Sequence, residues 1–149
     1  MLSLFRGGAV VLFMVAAAWP QQPADKKSAK QPDLCPNAQT TVEINACVGD
    51  LAQKADATLN ALYQKIQKAI RAKIAEEKSG PLEGYQQRAL AKLKAAELAW
   101  IHYRDAQCDA EEQQFEGGTI STSVLLGCKK DLAEQRADDL QKTYAIYLK

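Results

Sequence analysis

The side chains of this chain best suited to chemistry are four cysteines, Cys35, Cys47, Cys108 and Cys128. A cysteine can ligate a metal, cycle in a redox dithiol or close a structural disulfide. The spacings of 12, 61 and 20 residues contain no close pair of the kind a zinc site takes, and the chain has a single histidine, His102. No Cys-x-x-Cys spacing occurs, which leaves a redox dithiol without support. Disulfides are the remaining use, and no metal or cofactor is expected.

Catalysis finds little to work with. His102 stands between Ile101 and Tyr103, and consecutive residues on a helix point in different directions, so adjacency there assembles no site. No serine sits in a glycine-flanked elbow, and oxidised cysteines are not nucleophiles. The acid pairs Glu111-Glu112 and Asp138-Asp139 diverge around a helix and read as a solvated face. The expectation is a protein that is not an enzyme.

The cysteines also point to a compartment. Residues 1–18 hold one basic residue, Arg6, followed by an uncharged run from Gly7 to Ala18 that ends in Ala16-Ala17-Ala18. This is the anatomy of a signal peptide. The run is shorter than the roughly 20 apolar residues that span a bilayer, so an uncleaved anchor is the lesser alternative and no stable membrane insertion is expected after cleavage. Residues 1–20 are read as the signal peptide, residues 21–34 as a polar flexible tether and residues 35–149 as one folded domain with a modest core. An exported chain, periplasmic or secreted, is where disulfides persist. Loss of Arg6 takes the net charge from +1 to 0, which gives no overall pull toward nucleic acid.

Three amphipathic segments must position whatever the domain presents. From Thr41 to Lys78 the apolar residues Ile44, Val48, Leu51, Ala55, Leu59, Leu62, Ile66, Ile70 and Ile74 recur every three or four positions, which predicts one long helix. Thr40 and Glu43 form a capping box at its start, and Ser79-Gly80-Pro81 is its stop. A second helix is predicted from Tyr85 to Phe115, with Leu90, Leu93, Glu97, Trp100, Arg104 and Cys108 on one face and Gly117-Gly118 after it. A third, capped by Thr119 or Ser121, runs to about Leu148 with the stripe Val124, Cys128, Leu132, Arg136, Leu140, Tyr144 and Tyr147. Short connections between long helices give an all-α fold, an elongated antiparallel up-down-up three-helix bundle, stapled by two disulfides. Gly118 lies midway between Cys108 and Cys128, which puts those two at equal depth on facing helices and leaves Cys35 for Cys47. Four cysteines allow three connectivities, and Cys35 to Cys128 with Cys47 to Cys108 is the competing one.

Charges on the apolar stripes need partners, because an unpaired buried charge costs several kcal/mol, on the order of 3 or more. A partly buried network is expected to join Arg104 and Arg136 to Asp56, Glu97 or Glu43, with Asn60 and Tyr63 extending it, Tyr103 packing beside it and Trp100 in the core.

The pattern Cys35, Thr41, Glu43, Cys47, then Asp56, Leu59, Asn60 and Tyr63, then Trp100, Tyr103, Arg104 and Cys108, then Gly117-Gly118, Cys128 and Arg136 resembles the lysozyme inhibitor LprI N-terminal domain family. The resemblance covers the chain after the tether. It implies an exported bacterial helical domain with disulfides, in a family named after a mycobacterial lipoprotein credited with inhibiting lysozyme; most members have no established activity. This chain lacks that lipoprotein's lipid-attachment cysteine.

Charge along the bundle agrees with a protein partner. Residues 64–94 carry eight bases (Lys65, Lys68, Arg71, Lys73, Lys78, Arg88, Lys92, Lys94) against three acids, and residues 95–116 carry six acids (Glu97, Asp105, Asp109, Glu111, Glu112, Glu116) against Arg104. The acidic end holds the cysteines and the second turn. A cationic lysozyme would be steered to it, and Glu111, Glu112, Phe115, Glu116, Gly117, Gly118 and Thr119 are the candidate contacts. A periplasmic binding or scaffold module for another envelope protein, acting through the basic turn or through the network near Asp56 and Arg104, is the alternative. The sequence offers no reading of the oligomeric state.

Overall fold

The computed structural model describes residues 34–77, 80 and 83–149. The expected signal peptide, and the tether up to residue 33, lie outside the described residues. Among those described there are three helices and no strand: α1 (Thr41–Glu76), α2 (Tyr85–Gln113) and α3 (Ser121–Thr143), followed by a 3-10 turn at Ala145–Tyr147. No helix among them is long and apolar enough to cross a membrane.

Helix α1 forms where the periodicity places it, and its start is the capping box. The Thr40 side chain accepts from the Glu43 amide at 3.2 Å, while the Glu43 carboxylate accepts from the amides of Thr40 and Gln39 at 3.0 and 2.8 Å. Those donors, Gln39 first, hold the Glu43 carboxyl below its usual range. The helix ends two residues before the expected Lys78, at an extended cap on Glu77. Among the described residues the left-handed glycines are Gly84, which precedes α2, and Gly117.

The other ends differ in smaller ways. Helix α2 stops at Gln113 and passes into tighter turns, in which Phe115 N–H donates to the Glu112 carbonyl at 2.8 Å. Helix α3 is entered from Ile120 with no side-chain cap. Thr119 does not cap it, and the Ser121 hydroxyl is taken by Glu112 at 2.8 Å. At the far end α3 tightens after Thr143 into the 3-10 turn, short of Leu148.

The core is a seam of Ala55, Leu59, Ile66, Ile70, Leu93, Ala133 and Leu140, with Leu62, Tyr63, Trp100 and Tyr144 packed against it. Cross-helix partners set the directions. Along α2 and α3 they pair Cys108 with Cys128, Glu97 with Arg136, and Gln86 with Tyr147 just beyond α3, so one number falls as the other rises. Along α1 and α3 they rise together, from Gly49 against Leu126 to a groove formed by Leu51, Lys54, Ala55 and Thr58 with Glu134, Ala137 and Asp138. The up-down-up order follows.

The sulfurs pair as Cys35–Cys47 and Cys108–Cys128, not in the competing connectivity. Loops of 12 and 20 residues remove about 3 kcal/mol each of unfolded-chain entropy in the loop-closure account. Replacing Cys108 and Cys128 together by serine should lower the urea-unfolding free energy by about that amount, on the order of 3 kcal/mol, with helical circular dichroism retained. A second outcome concerns pH. Because the Glu43 carboxyl is depressed in the fold, its contribution is fully present above the ordinary carboxyl range and is lost as pH falls through its lower folded value. Glu43→Gln should therefore reduce stability at neutral pH, and the gap from the parent should close under acid.

Candidate functional site

Helix α2 buries only Leu93, Glu97 and Cys108, so polar and covalent ties do much of the work of seating it. Arg136 of α3 donates from Nε and Nη2 to Glu97 Oε2 at 3.1 and 3.0 Å. Two turns along α2, Arg104 reaches back to Asp56 of α1 at 3.0 Å and is also held by Asp105. Trp100 lies between these pairs, with the Arg104 and Arg136 guanidinium carbons 5.2 and 5.8 Å from its ring centroid. A guanidinium near an indole face gains roughly 0.5–2 kcal/mol, more as water is excluded. Glu97, Trp100 and Arg104 share one face of α2 because their spacing is three and four residues. The three helices thus meet at one indole.

The expected network forms with different members. Asp56, Glu97, Arg104 and Arg136 are in it, and Tyr63 stands at its edge, its phenol pushed up first by burial and then by the Glu97 charge. Glu43 is not in it. Its carboxylate is committed to the amides at the start of α1, thirteen residues before Asp56. Asn60 is exposed, one residue round from buried Leu59, and Tyr103 also faces solvent. The two ion pairs differ in setting: the Glu97 side chain is 9% exposed and that of Asp56 49%.

The acidic end presents a separate group. Glu111 accepts from Gln107 at 2.9 Å, Glu112 from Ser121 at 2.8 Å, and Glu116 from Gln113. These donors are neutral side chains, so the contacts set no opposite charge against the three carboxylates. Phe115 is exposed beside them, and the chain then reverses through Gly117 at φ 76°. Thr119 is exposed on the same turn. A Cβ on Gly118 would meet the Phe115 carbonyl oxygen at 3.0 Å, which explains a glycine there. In the same half three cations are drawn into ion pairs, Arg104 and Arg136 as above and Lys130 with Asp131 and Glu134, while Lys54 and Lys129 form no salt bridge among the described residues. Glu134 foremost raises the Lys130 pKa, against some desolvation. The Cys35–Cys47 loop lies at this end too, with the Cys47 sulfur 3.9 Å from the Leu34 carbonyl oxygen.

The groove between α1 and α3, about 290 Å³, is lined by Leu51, Lys54, Ala55, Thr58, Glu134, Ala137 and Asp138. It contains neither His102 nor a cysteine. Sequence reasoning missed the groove because two alanines, Ala55 and Ala137, contribute to it, and small residues leave space that a hydrophobic stripe does not reveal.

Three helices held by two disulfides, with a charged turn exposed beside one of them, make this a small disulfide-stapled helical domain. Residues 35–140 match the family described as Lysozyme inhibitor LprI, and the chain belongs to that family, which is one of inhibitors and not of enzymes. It is also similar to an uncharacterised protein of Rhizobium meliloti (strain 1021), 31% identical over 133 residues, covering 89% of this chain and 88% of that one. No solved structure matches the chain.

The contrast between the two ion pairs gives a direct test. Arg136→Met should cost about 3 kcal/mol by stranding a buried carboxylate, and Glu97→Leu added to it should recover much of the loss. Asp56→Asn, at a half-exposed pair, should cost about 1 kcal/mol or less. Urea unfolding of the four proteins measures all three differences.

Proposed function

We propose that this chain is an exported binding domain that docks a cationic protein, a lysozyme foremost, through the acidic end next to the α2–α3 turn, and inhibits it by occupying its surface. Membership of the inhibitor family supports the reading. The observation that carries it is local: Glu111, Glu112 and Glu116 accept from neutral donors and lie beside exposed Phe115 and the Gly117-Gly118 turn. Animal-type lysozymes are strongly cationic, so such a surface steers the encounter and raises the on-rate at low salt. The two disulfides fit an oxidising, extracytoplasmic compartment, and the disulfide near the turn limits the ordering entropy that docking must offset.

One observation favours a second reading. In the opposite half Lys65, Lys68, Lys92 and Lys94 are exposed and enter no salt bridge among the described residues, as a scaffold module for another envelope protein would offer to an acidic partner. Affinity capture from an envelope extract, set beside a lysozyme assay, separates the two.

Oxidised protein starting at residue 35 should slow cell-wall lysis by egg-white lysozyme at low ionic strength, and inhibition should fade as salt rises past about 0.15 M, where screening lengths drop to about 8 Å. Joint replacement of Glu111, Glu112 and Glu116 by lysine should weaken inhibition at least tenfold, mainly through the on-rate. Unchanged lysis with the parent protein would sink the lysozyme reading.

A further inference from the structure

The acids alone do not account for what is exposed at the disulfide end. Among the described residues the exposed large hydrophobic side chains are Leu34, Val42, Ile44, Tyr85, Leu98, Tyr103, Phe115, Ile120 and Ile146. Leu34, Val42, Ile44, Phe115 and Ile120 all belong to one end, although they come from three parts of the chain. The register explains why. Helices α1 and α3 run in the same direction, with Gly49 against Leu126, so Val42, seven residues before Gly49, stands level with Ile120, six before Leu126. Leu34 is brought there because Cys35 is bonded to Cys47. Phe115 is brought there by the turns that close α2.

The exposures are large for side chains of this kind: Val42 is 78% exposed, Ile120 48% and Phe115 40%. Scattered single hydrophobics on a surface need no explanation, but a cluster rimmed by charge marks an interaction site. Acids share this end: Glu43 follows Val42 in α1, and Glu111, Glu112 and Glu116 flank Phe115 at the close of α2, with Glu112 bonded to Ser121 next to Ile120. An apolar centre inside a charged rim is the anatomy of a protein interface, in which the buried centre supplies the residence time and the rim supplies steering.

We propose that Val42 and Ile44 at the start of α1, together with Phe115 and Ile120 around the α2–α3 turn, form the apolar centre of the docking surface for a cationic protein. The proposal rests on the docking reading above and adds to it the α1 capping segment, which was not among the candidate contacts read from the sequence. The partner is cationic because the rim is acidic, and it presents an apolar patch of its own because a hydrated cationic surface alone would gain nothing from covering Val42. The capping box serves the surface twice. It fixes the backbone from which Val42 projects, and its Glu43 places a fixed carboxylate on the next residue. The Cys35–Cys47 bridge holds the preceding loop in place.

The test uses the oxidised protein and egg-white lysozyme as the probe, with surface plasmon resonance giving association and dissociation rates across a salt series. Val42→Ser and Ile120→Ser, singly and together, are compared with Leu98→Ser, a 62% exposed position on α2 outside the cluster, and with the triple lysine variant of Glu111, Glu112 and Glu116. Thermal unfolding checks that each variant remains folded, as solvent-facing changes should. The double serine variant is expected to dissociate at least tenfold faster, with an unchanged on-rate and salt slope, while Leu98→Ser behaves as the parent. The lysine variant should instead lose on-rate and salt dependence. If the lysine variant weakens binding and the double serine variant does not, docking stands and the apolar centre is overturned. Absence of parent binding overturns both. If the serine changes abolish self-association in sedimentation and leave lysozyme binding intact, the patch is a contact between copies of this chain and the proposal fails.

Discussion

The second helix depends on a buried ion pair. Of its three buried side chains only Leu93 is an ordinary hydrophobe; the others are Glu97, bonded to Arg136, and Cys108, bonded to Cys128. A helix with so little apolar surface to bury gains little from non-directional packing, so its rotation and register must come from directional contacts. The Glu97–Arg136 pair and the disulfide supply them about three turns apart on the same face, and Trp100 joins Arg136 to the Arg104–Asp56 pair. Replacing such a pair with well-packed hydrophobes can leave stability unchanged or improve it. What the pair contributes is orientation, since a carboxylate that must meet a guanidinium admits one register where an alanine-rich face would admit several.

That orientation determines what the acidic end presents. Cys108–Cys128 lies between the ion-pair layer and the α2–α3 turn, so the layer and the bridge tie α2 to α3 on the approach to the turn. Arg104, Arg136 and Lys130 of this half are taken up in ion pairs, whereas Lys54 and Lys129 form none among the described residues, and the acids near the turn accept from Gln107, Gln113 and Ser121. The electrical asymmetry is thus a product of internal pairing as well as of composition. With Glu43 holding the start of α1, carboxylates and exposed apolar side chains share this end of the bundle, the basis of the docking proposal.

How legible this was in the sequence differs from element to element. The α1 stripe and its capping box read correctly because they rest on a long periodic run and a local motif, both independent of the rest of the fold. The sulfur pairing followed from Gly118 lying midway between Cys108 and Cys128. The polar network was legible as a need, since Arg104 and Arg136 interrupt apolar stripes, but its membership was legible only in part. Glu43 was assigned to it and to the capping box at once, and one carboxylate cannot serve both. Asn60 failed because one step along a helix is about 100° of rotation. The α3 cap failed because the Ser121 hydroxyl had a tertiary competitor in Glu112, which no local rule contains. The up-down-up order already made α1 and α3 parallel, but the register that sets Val42 level with Ile120, nearly eighty positions away, was not legible.

The account is most directly tested by amide hydrogen exchange of the oxidised protein with and without egg-white lysozyme. Added lysozyme should slow exchange in residues 40–47 and 111–123 together, and leave residues 83–95 at the basic end unchanged. Slowing confined to residues 83–95, or no slowing anywhere, would contradict it.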